Sequence, residues 1–249
     1  MTSPSPLSSK GIPTDERLIL ALDVSTPDEA RALVTKLGDA VKFYKLGLQL
    51  FMAGGYFELI DWLHERGKQV FVDLKFFDVP ETVAAAVRQL DGSKVSFATV
   101  HGNDAILEAA CRANPGVRIL AVTVLTSLDQ GDLDDLGFET DPQTLVLSRA
   151  RRALEIGCGG IISSGLEVPA LRRELGDDTG QFMIVVPGIR PVTNQIQGDD
   201  QKRTVNVEEA FRRGADYIVV GRPIRTADDP VEAAEAIQRT IASVFEGVS

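Results

Sequence analysis

Histidine, cysteine and positive charge are all scarce in this chain of 249 residues. It contains two histidines and two cysteines, and its 26 lysines and arginines are outnumbered by 36 aspartates and glutamates. Two histidines cannot build a histidine-rich zinc site, and a Ser-His-Asp hydrolase would have to use one of them. Lysine and aspartate are therefore the residues that we expect to carry acid and base chemistry.

The shortage of positive charge and of long apolar runs argues against two further classes. Non-specific nucleic-acid binding draws most of its affinity from Lys and Arg on phosphates, so a net charge of −10 predicts no nucleic-acid partner. An anionic ligand would need a local cluster of cations. No apolar run approaches the roughly 20 residues that a membrane-spanning helix needs, so we expect no membrane association.

The two cysteines, Cys111 and Cys158, are isolated from each other in the sequence. Because they lack C-x-x-C spacing, they indicate neither a disulfide framework nor a zinc knuckle. We interpret them as small buried residues in a reducing compartment, which predicts a cytoplasmic protein.

The beginning of the chain differs in composition from the rest. It is rich in Ser and Pro and lacks the apolar core and cleavage site of a secretory signal. The whole chain is 44% hydrophobic and 25% charged, which are ordinary values for a globular protein. We therefore predict a disordered tail over residues 1–16 and a single folded domain over residues 17–249.

Short apolar runs alternate with amphipathic segments along this domain. The predicted strands are residues 18–22, 41–46, 69–72, 95–100, 119–124, 160–162, 182–186 and 217–220. Thr26, Asp141 and Asp229 each precede a proline, as N-cap residues of helices often do. A repeated strand-then-helix order implies a parallel sheet.

Eight such units in about 250 residues predict an α/β fold of the (β/α)8 TIM-barrel type, in a single domain. A doubly wound open sheet is the alternative. The dinucleotide-binding pattern G-x-G-x-x-G does not follow the first predicted strand, where Asp23 stands instead, which favours the barrel.

Catalytic residues of such barrels project from the carboxyl ends of the strands. Each predicted strand here has a polar residue, or a glycine followed by an arginine, at or just after its end: Asp23, Lys45, Asp73 with Lys75, His101, Thr126, Ser163 with Ser164, Gly188 with Arg190, and Gly221 with Arg222. One polar residue can simply begin a loop. The same feature at all eight ends predicts an active site at this face.

The densest group of charges lies in residues 72–82. Side chains alternate along a strand, so Asp73 and Lys75 should lie on the same face, inside the barrel mouth. A charged pair there needs partners, and Lys45 and Asp78 are the candidates. Asp78 has a second interpretation, as the N-cap of a helix with Glu81 completing a capping box.

The charges around Lys75 restrict its chemistry. Nearby carboxylates favour the ammonium form of a lysine, whereas a Schiff-base nucleophile needs the neutral amine. We therefore predict that Lys75 donates a proton or stabilises developing negative charge.

A long polar connection follows the seventh predicted strand, and its length over residues 190–205 predicts a lid. Barrels often bind phosphate between the loops after strands 7 and 8, where glycine admits backbone N–H groups and arginine supplies charge. The predicted phosphate site comprises Arg190, Gln201, Gly221 and Arg222. The alternative is that these arginines are solvated surface residues. His64 is expected on the surface and His101 in the core.

From about residue 18 to residue 241, the chain resembles the bacterial orotidine 5'-monophosphate decarboxylases. Residues 73–82, DLKFFDVPET, fit that family's D-x-K-x-x-D-[IV]-P-x-T pattern, and residues 120–127, 187–191 and 221–223 are further matching blocks. The resemblance implies decarboxylation of orotidine monophosphate to uridine monophosphate, the last step of de novo pyrimidine synthesis. It also implies that the reaction uses no cofactor and no metal ion.

The resemblance also implies residue roles. Lys75 would protonate C6 of the pyrimidine, Asp73 would lie against the substrate carboxylate, and Lys45 and Asp78 would complete an alternating charge network. The remaining substrate-binding residues would be Asp23 and Thr82 at the ribose, Thr126 and Ser164 near the base, Arg190, Gln201, Gly221 and Arg222 at the phosphate, and Pro187. Asp78 and Thr82 would reach into a neighbouring subunit's site, which implies a homodimer.

Two alternatives remain at this point. Sugar-phosphate decarboxylases and synthases of the same superfamily share D-x-K-x-x-D and use magnesium, but tend to carry a metal-binding glutamate where this chain has Lys45. A catalytically silent, nucleotide-sensing barrel would be expected to have lost Asp73 or Lys75, and both are present.

Overall fold

The computed structural model describes residues 7–113, 116–176, 182–190 and 204–246. Its strands are β1 Leu18–Ala21, β2 Phe43–Gly47, β3 Gln69–Phe76, β4 Phe97–Val100, β5 Arg118–Val122, β6 Gly160–Ile162, β7 Met183–Val186 and β8 Tyr217–Val220. Each strand pairs in parallel with the next, and β8 pairs with β1, so the sheet closes. The predicted TIM barrel is confirmed and the open sheet is wrong.

Helices connect the strands on the outside of the barrel. They are α1 Pro27–Leu37, α2 Leu48–Ala53, α3 Tyr56–His64, α4 Pro80–Val87, α5 Asp104–Ala113, α6 Gln130–Asp135, α7 Pro142–Ile156, α8 Val168–Leu175, α9 Val207–Arg212, α10 Arg222–Arg225 and α11 Pro230–Glu246. The Thr26 and Asp141 side chains accept hydrogen bonds from the first turns of α1 and α7, as predicted. Asp229 likewise accepts from the Val231 N–H. Among the described helices, none is long and apolar enough to cross a membrane.

The barrel interior is filled with apolar side chains below its carboxyl end. The inward-facing cluster is Ile19, Ala21, Phe43, Phe71, Phe97, Leu120, Met183, Val185, Tyr217 and Val219. The Phe97 ring packs against the Phe43 and Tyr217 rings, with centroids 5.1 and 5.2 Å apart. These rings close the interior of the barrel, and the space above them opens at the carboxyl ends of the strands.

The segment that precedes β1 packs against the other end of the barrel. Ser8 and Lys10 both donate hydrogen bonds to the carboxylate of Asp216, Lys10 over 2.8 Å. Asp216 is fully buried and also accepts from Arg172 over 2.9 Å. A buried carboxylate needs charged and hydrogen-bonding partners, and this segment supplies two of them. Residues 7–16 of the predicted disordered tail therefore include defined contacts with the barrel, and residues 1–6 lie outside the described part.

Candidate active site

A cavity of about 450 Å³ opens at the carboxyl ends of the strands. The predicted site residues in its lining are Asp23, Lys45, Asp73, Lys75, Thr126, Pro187, Arg190, Gly221 and Arg222. They come from strands and loops far apart in sequence, because a closed barrel brings all eight strand ends to one rim.

Four charged side chains alternate along one wall of this cavity. Lys45 Nζ lies 3.7 Å from Asp23 Oδ1 and 3.0 Å from Asp73 Oδ2. Lys75 Nζ lies 2.9 Å from Asp73 Oδ1, on the other side of that carboxylate. Asp73 is thus held between two ammonium groups, as the sequence predicted for Lys45 and Lys75.

The buried members of this row remain ionised. Burial would by itself raise the pKa of Asp73, but the charges of Lys45 and Lys75 outweigh it and lower that pKa to about 2. Burial would lower the pKa of Lys45, but Asp73 and Asp23 outweigh it, and the pKa lies above its usual value. The site therefore holds fixed charges of both signs at neutral pH.

The backbone of β3 is irregular where it carries these residues. Val72 pairs with Ala98 and Phe76 pairs with Val100, so β3 has two residues more than β4 between these pairs. Lys75 has φ of 49°, a left-handed conformation that side chains disfavour. The prediction that Asp73 and Lys75 share one side is confirmed, but a bulge, rather than regular strand alternation, places them there.

Arginines surround the end of the cavity formed by the loops after β7 and β8. Arg190 and Arg222 line it as predicted, and so does Arg225, which sequence reasoning missed. Arg225 could have been predicted from its position three residues after Arg222, since residues three apart lie on one helix face. The Nε atom of Arg225 is buried and has no hydrogen-bond partner among the residues that the structure describes. Residues 191–203 of the predicted lid, which include Gln201, lie outside the described residues.

Three predicted residues lie outside the cavity lining. Ser164 is fully buried, and its Oγ accepts from the Leu166 N–H over 3.1 Å. Asp78 and Thr82 are exposed. The Asp78 carboxylate accepts from the Val79 N–H over 2.6 Å, and among the described residues of its own chain it pairs with no lysine. The N-cap interpretation of Asp78 is wrong, because α4 begins at Pro80 after Val79.

The two histidines lie in different environments. His64 is exposed at the end of α3, as expected. His101 is half-buried, and its ring meets the Phe77 ring edge-on with centroids 5.2 Å apart. Burial, together with the charges of Arg149 and Lys75, lowers the pKa of His101, so the ring is neutral at pH 7.

A row of alternating carboxylates and ammonium groups beside an arginine-lined recess, at the catalytic face of a TIM barrel, defines an enzyme for an anionic, phosphate-bearing substrate. The sequence profile of the "Orotidine 5'-phosphate decarboxylase / HUMPS family" matches residues 16–237. The chain belongs to this family.

Individual relatives agree with this assignment. The chain is 63% identical over 242 residues to the orotidine 5'-phosphate decarboxylase of Methylococcus capsulatus, covering 97% of this chain and 98% of the relative. It is 53% identical to that of Xanthomonas axonopodis pv. citri, over 91% of this chain and 92% of the relative. The crystal structure of the Lactobacillus acidophilus orotidine 5'-phosphate decarboxylase superposes with a TM-score of 0.78 at 33% identity, covering 91% and 99% of the two chains.

Proposed function

We propose that the chain, which decarboxylates orotidine 5'-monophosphate to uridine 5'-monophosphate in pyrimidine biosynthesis, uses Lys75 as its proton donor. The observation that carries this proposal is the position of Lys75 beside Asp73. Its Nζ lies 2.9 Å from the carboxylate, and its side chain is 35% exposed to the cavity against 11% for Asp73. Lys75 can therefore touch both a buried anion and a bound substrate.

The chemistry of the reaction explains why a cation is needed there. When the bond from C6 to the carboxylate carbon breaks, its electron pair stays on C6 and CO2 leaves. The pyrimidine ring stabilises this carbanion poorly. A fixed ammonium group stabilises the developing charge and then transfers its proton from Nζ to C6, which completes uridine monophosphate.

Asp73 and Lys45 complete the reacting end of the site. The ionised Asp73 would lie against the substrate carboxylate, a like charge whose crowding is relieved when CO2 departs. Lys45 holds the carboxylates of Asp73 and Asp23 at 3.0 and 3.7 Å. Asp23 is half exposed toward the cavity, where it can accept hydrogen bonds from the ribose hydroxyls.

The arginine-lined recess would hold the substrate phosphate. Arg190, Arg222 and Gly221 form it together with Arg225, and Gln201 would complete it from the lid. Thr126 and Pro187, which line the cavity, would contact the ligand near the base. Ser164, which is fully buried outside the lining, would not touch the ligand directly. Binding energy gained at the phosphate, remote from C6, then orients the pyrimidine against Lys75.

Removing one phosphate contact should weaken catalysis only for phosphorylated substrate. We expect Arg222→Ala to lower kcat/KM for orotidine monophosphate roughly ten- to a hundredfold, the value of a charge-assisted hydrogen bond. Turnover of the nucleoside orotidine, which has no phosphate, should match the wild type. Arg112→Ala, on an arginine that is 70% exposed on α5, is the control. An unchanged kcat/KM for orotidine monophosphate would remove Arg222 from the site.

The magnesium-dependent alternative makes a different prediction under chelation. The loss of pyrimidine absorbance with orotidine monophosphate should proceed at the same rate in excess chelator as without it. Loss of turnover that magnesium restores would instead support the sugar-phosphate enzymes of the superfamily. Uridine monophosphate binding without turnover would support a nucleotide sensor.

We also propose that the active unit is a homodimer in which Asp78 and Thr82 serve the partner's site. The support lies around Asp78: Phe77 and Val79 are 68% and 63% exposed. Apolar side chains left this open, next to an exposed carboxylate in the loop between β3 and α4, are typical of a contact surface. Asp78 would then complete the charge row of the neighbouring cavity.

Mixing two inactive variants tests this sharing. Asp78→Ala and Lys75→Ala proteins should each have little activity, and mixed dimers should regain it, because one site of each mixed dimer has both residues intact. The signal should be roughly a quarter of wild type for random exchange. No recovery from variants that do form mixed dimers would place Asp78 in its own chain's site. A monomer in sedimentation velocity would overturn the dimer.

A cytoplasmic location is proposed as well. It is supported by the state of Cys111 and Cys158, which are both free thiols. Free thiols persist in reducing compartments.

A further inference from the structure

We infer that Thr99, on β4, is a positioning residue for the decarboxylation. It holds the reactive geometry of Lys75 and Asp73 without touching the substrate, and the inference rests on the proposed roles of those two residues. Thr99 is fully buried and lies on the same inward face of β4 as Phe97, one layer closer to the cavity. Thr99 is not one of the residues that line the cavity.

The Thr99 hydroxyl joins the two reactive residues. Its Oγ1 accepts a hydrogen bond from the Lys75 N–H over 2.9 Å and donates one to Asp73 Oδ1 over 2.9 Å. A hydroxyl has a single proton, so these two bonds fix its orientation. Asp73 Oδ1 thus accepts hydrogen bonds from Thr99 Oγ1 and Lys75 Nζ, while Asp73 Oδ2 pairs with Lys45 Nζ.

The bulge in β3 explains why such a residue is required. Between Val72 and Phe76 the ladder to β4 is interrupted, so the Lys75 N–H has lost the backbone acceptor that a regular strand would offer. Lys75 also holds a left-handed φ of 49°. A strained backbone persists only when its surroundings fix it. The hydroxyl of Thr99 replaces the missing acceptor and fixes this conformation, which aims the Lys75 side chain at the cavity.

The experiment compares one substitution of Thr99 that removes the hydroxyl with one that keeps it. Thr99→Val keeps the branched shape and removes both hydrogen bonds, whereas Thr99→Ser keeps the hydroxyl. We expect Thr99→Val to lower kcat roughly ten- to a hundredfold, the range of a hydrogen bond to a charged group. KM should change little, because the phosphate contacts remain. Thr99→Ser should restore most of kcat.

The acid side of the pH profile separates positioning from folding. Without the Thr99 bond, the Asp73 carboxylate is less stabilised, so the loss of kcat on acidification should begin at a higher pH in Thr99→Val. Rates are expressed per site that binds uridine monophosphate, so misfolded protein does not count. Wild-type kcat in Thr99→Val, or a loss that Thr99→Ser does not restore, would overturn the inference.

Lys75→Ala, assayed in parallel, separates this inference from the proposed function. If Lys75→Ala is inactive and Thr99→Val is fully active, the inference alone fails. If Lys75→Ala has wild-type activity, the assignment of Lys75 fails, and the role of Thr99 with it.

A second inference comes from the thiols. Cys111 on α5 and Cys158, which are 47 residues apart in sequence, are brought together by the fold with their Sγ atoms 3.5 Å apart. We propose that they form an oxidisable dithiol. A low-molecular-weight disulfide would be its oxidant: the Cys111 thiolate attacks it and releases one thiol, and the Cys158 thiolate then displaces the second. Two cysteine thiols and one small disulfide become one protein disulfide and two small thiols.

The difference in exposure between the two cysteines sets the order of these two steps. Cys111 is partly exposed, so a small oxidant can reach it, whereas Cys158 is buried. Cys158 follows the end of α7, where its N–H donates to the Ala153 carbonyl over 2.9 Å, so its backbone is fixed. It precedes β6, at the end of the barrel opposite the catalytic cavity. The cross-link should therefore raise the melting temperature by constraining the unfolded chain, and leave kcat unchanged.

Incubation with oxidised glutathione tests the dithiol. The wild type should lose both free thiols and two hydrogens in mass, without gaining glutathione, and dithiothreitol should reverse the change. Cys158→Ala should stop at a mixed disulfide on Cys111, and Cys111→Ser should stay unmodified. A wild type that keeps glutathione, forms disulfides between chains or does not react would overturn the proposal.

Discussion

Lys75→Ala is expected to lose several orders of magnitude in kcat while it still binds uridine monophosphate. The substitution removes both the proton for C6 and the positive charge that stabilises the carbanion, in a site where fixed charges act at short range. The arginine-lined recess is untouched, so the product's phosphate should be held as before. Decarboxylation can be followed by pyrimidine absorbance, and binding by calorimetry.

Lys36→Ala is the matched control for this experiment. Lys36 is exposed on α1, so removing its charge should leave kcat unchanged. Turnover of Lys75→Ala close to that of the wild type would refute Lys75 as the proton donor. Loss of uridine monophosphate binding together with turnover would instead indicate that Lys75 chiefly holds the ligand.

Asp73→Asn should have the second largest effect. The neutral amide leaves Lys45 and Lys75 as two adjacent cations, at 3.0 and 2.9 Å from the substituted group, with no charge between them. Lys75 should then move away from C6, and kcat should fall roughly a hundred- to a thousandfold, as it does when one preorganised electrostatic contact is lost. Asp135→Asn, at an exposed position, is the control.

Asp73→Asn should also change how the melting temperature depends on pH under acidic conditions. The pKa of Asp73 falls from its ordinary value of 3.8 to about 2 on folding, so its ionised form favours the folded state. That contribution is complete above about pH 4 and is lost as the pH falls toward 2. Asp73→Asn should lack this part of the decline in melting temperature with pH. An identical decline in both proteins would show that Asp73 does not have the lowered pKa.

Local sequence patterns predicted the barrel because its elements are regular. Strand runs such as 217–220 and proline-marked helix starts such as Thr26 are visible within a few residues, and closure follows from repeating them eight times. The position of the site follows for the same reason, because the carboxyl ends of all strands meet at one rim and the sequence alone therefore predicts that Lys45 and Asp73 lie close together.

The remaining features depend on contacts between distant residues. The bulge at Lys75 breaks the period of two on which the strand prediction rested, and its stabilising partner Thr99 lies 24 residues away on another strand. Asp216 accepts a hydrogen bond from Lys10, which lies 206 residues earlier in the chain. Amino-acid composition cannot reveal such a pair. In each case a buried polar group required a partner, and only the closed fold determines which residue supplies it.

The packing of aromatic rings inside the barrel has a kinetic consequence. Because the rings of Phe43, Phe97 and Tyr217 fill the interior beneath the charge row, substrate must enter and both products must leave across the same rim. Orotidine monophosphate and uridine monophosphate would therefore share one entrance to the cavity. The enzyme should be inhibited competitively by its own nucleotide product, and departure of that nucleotide must precede each new turnover.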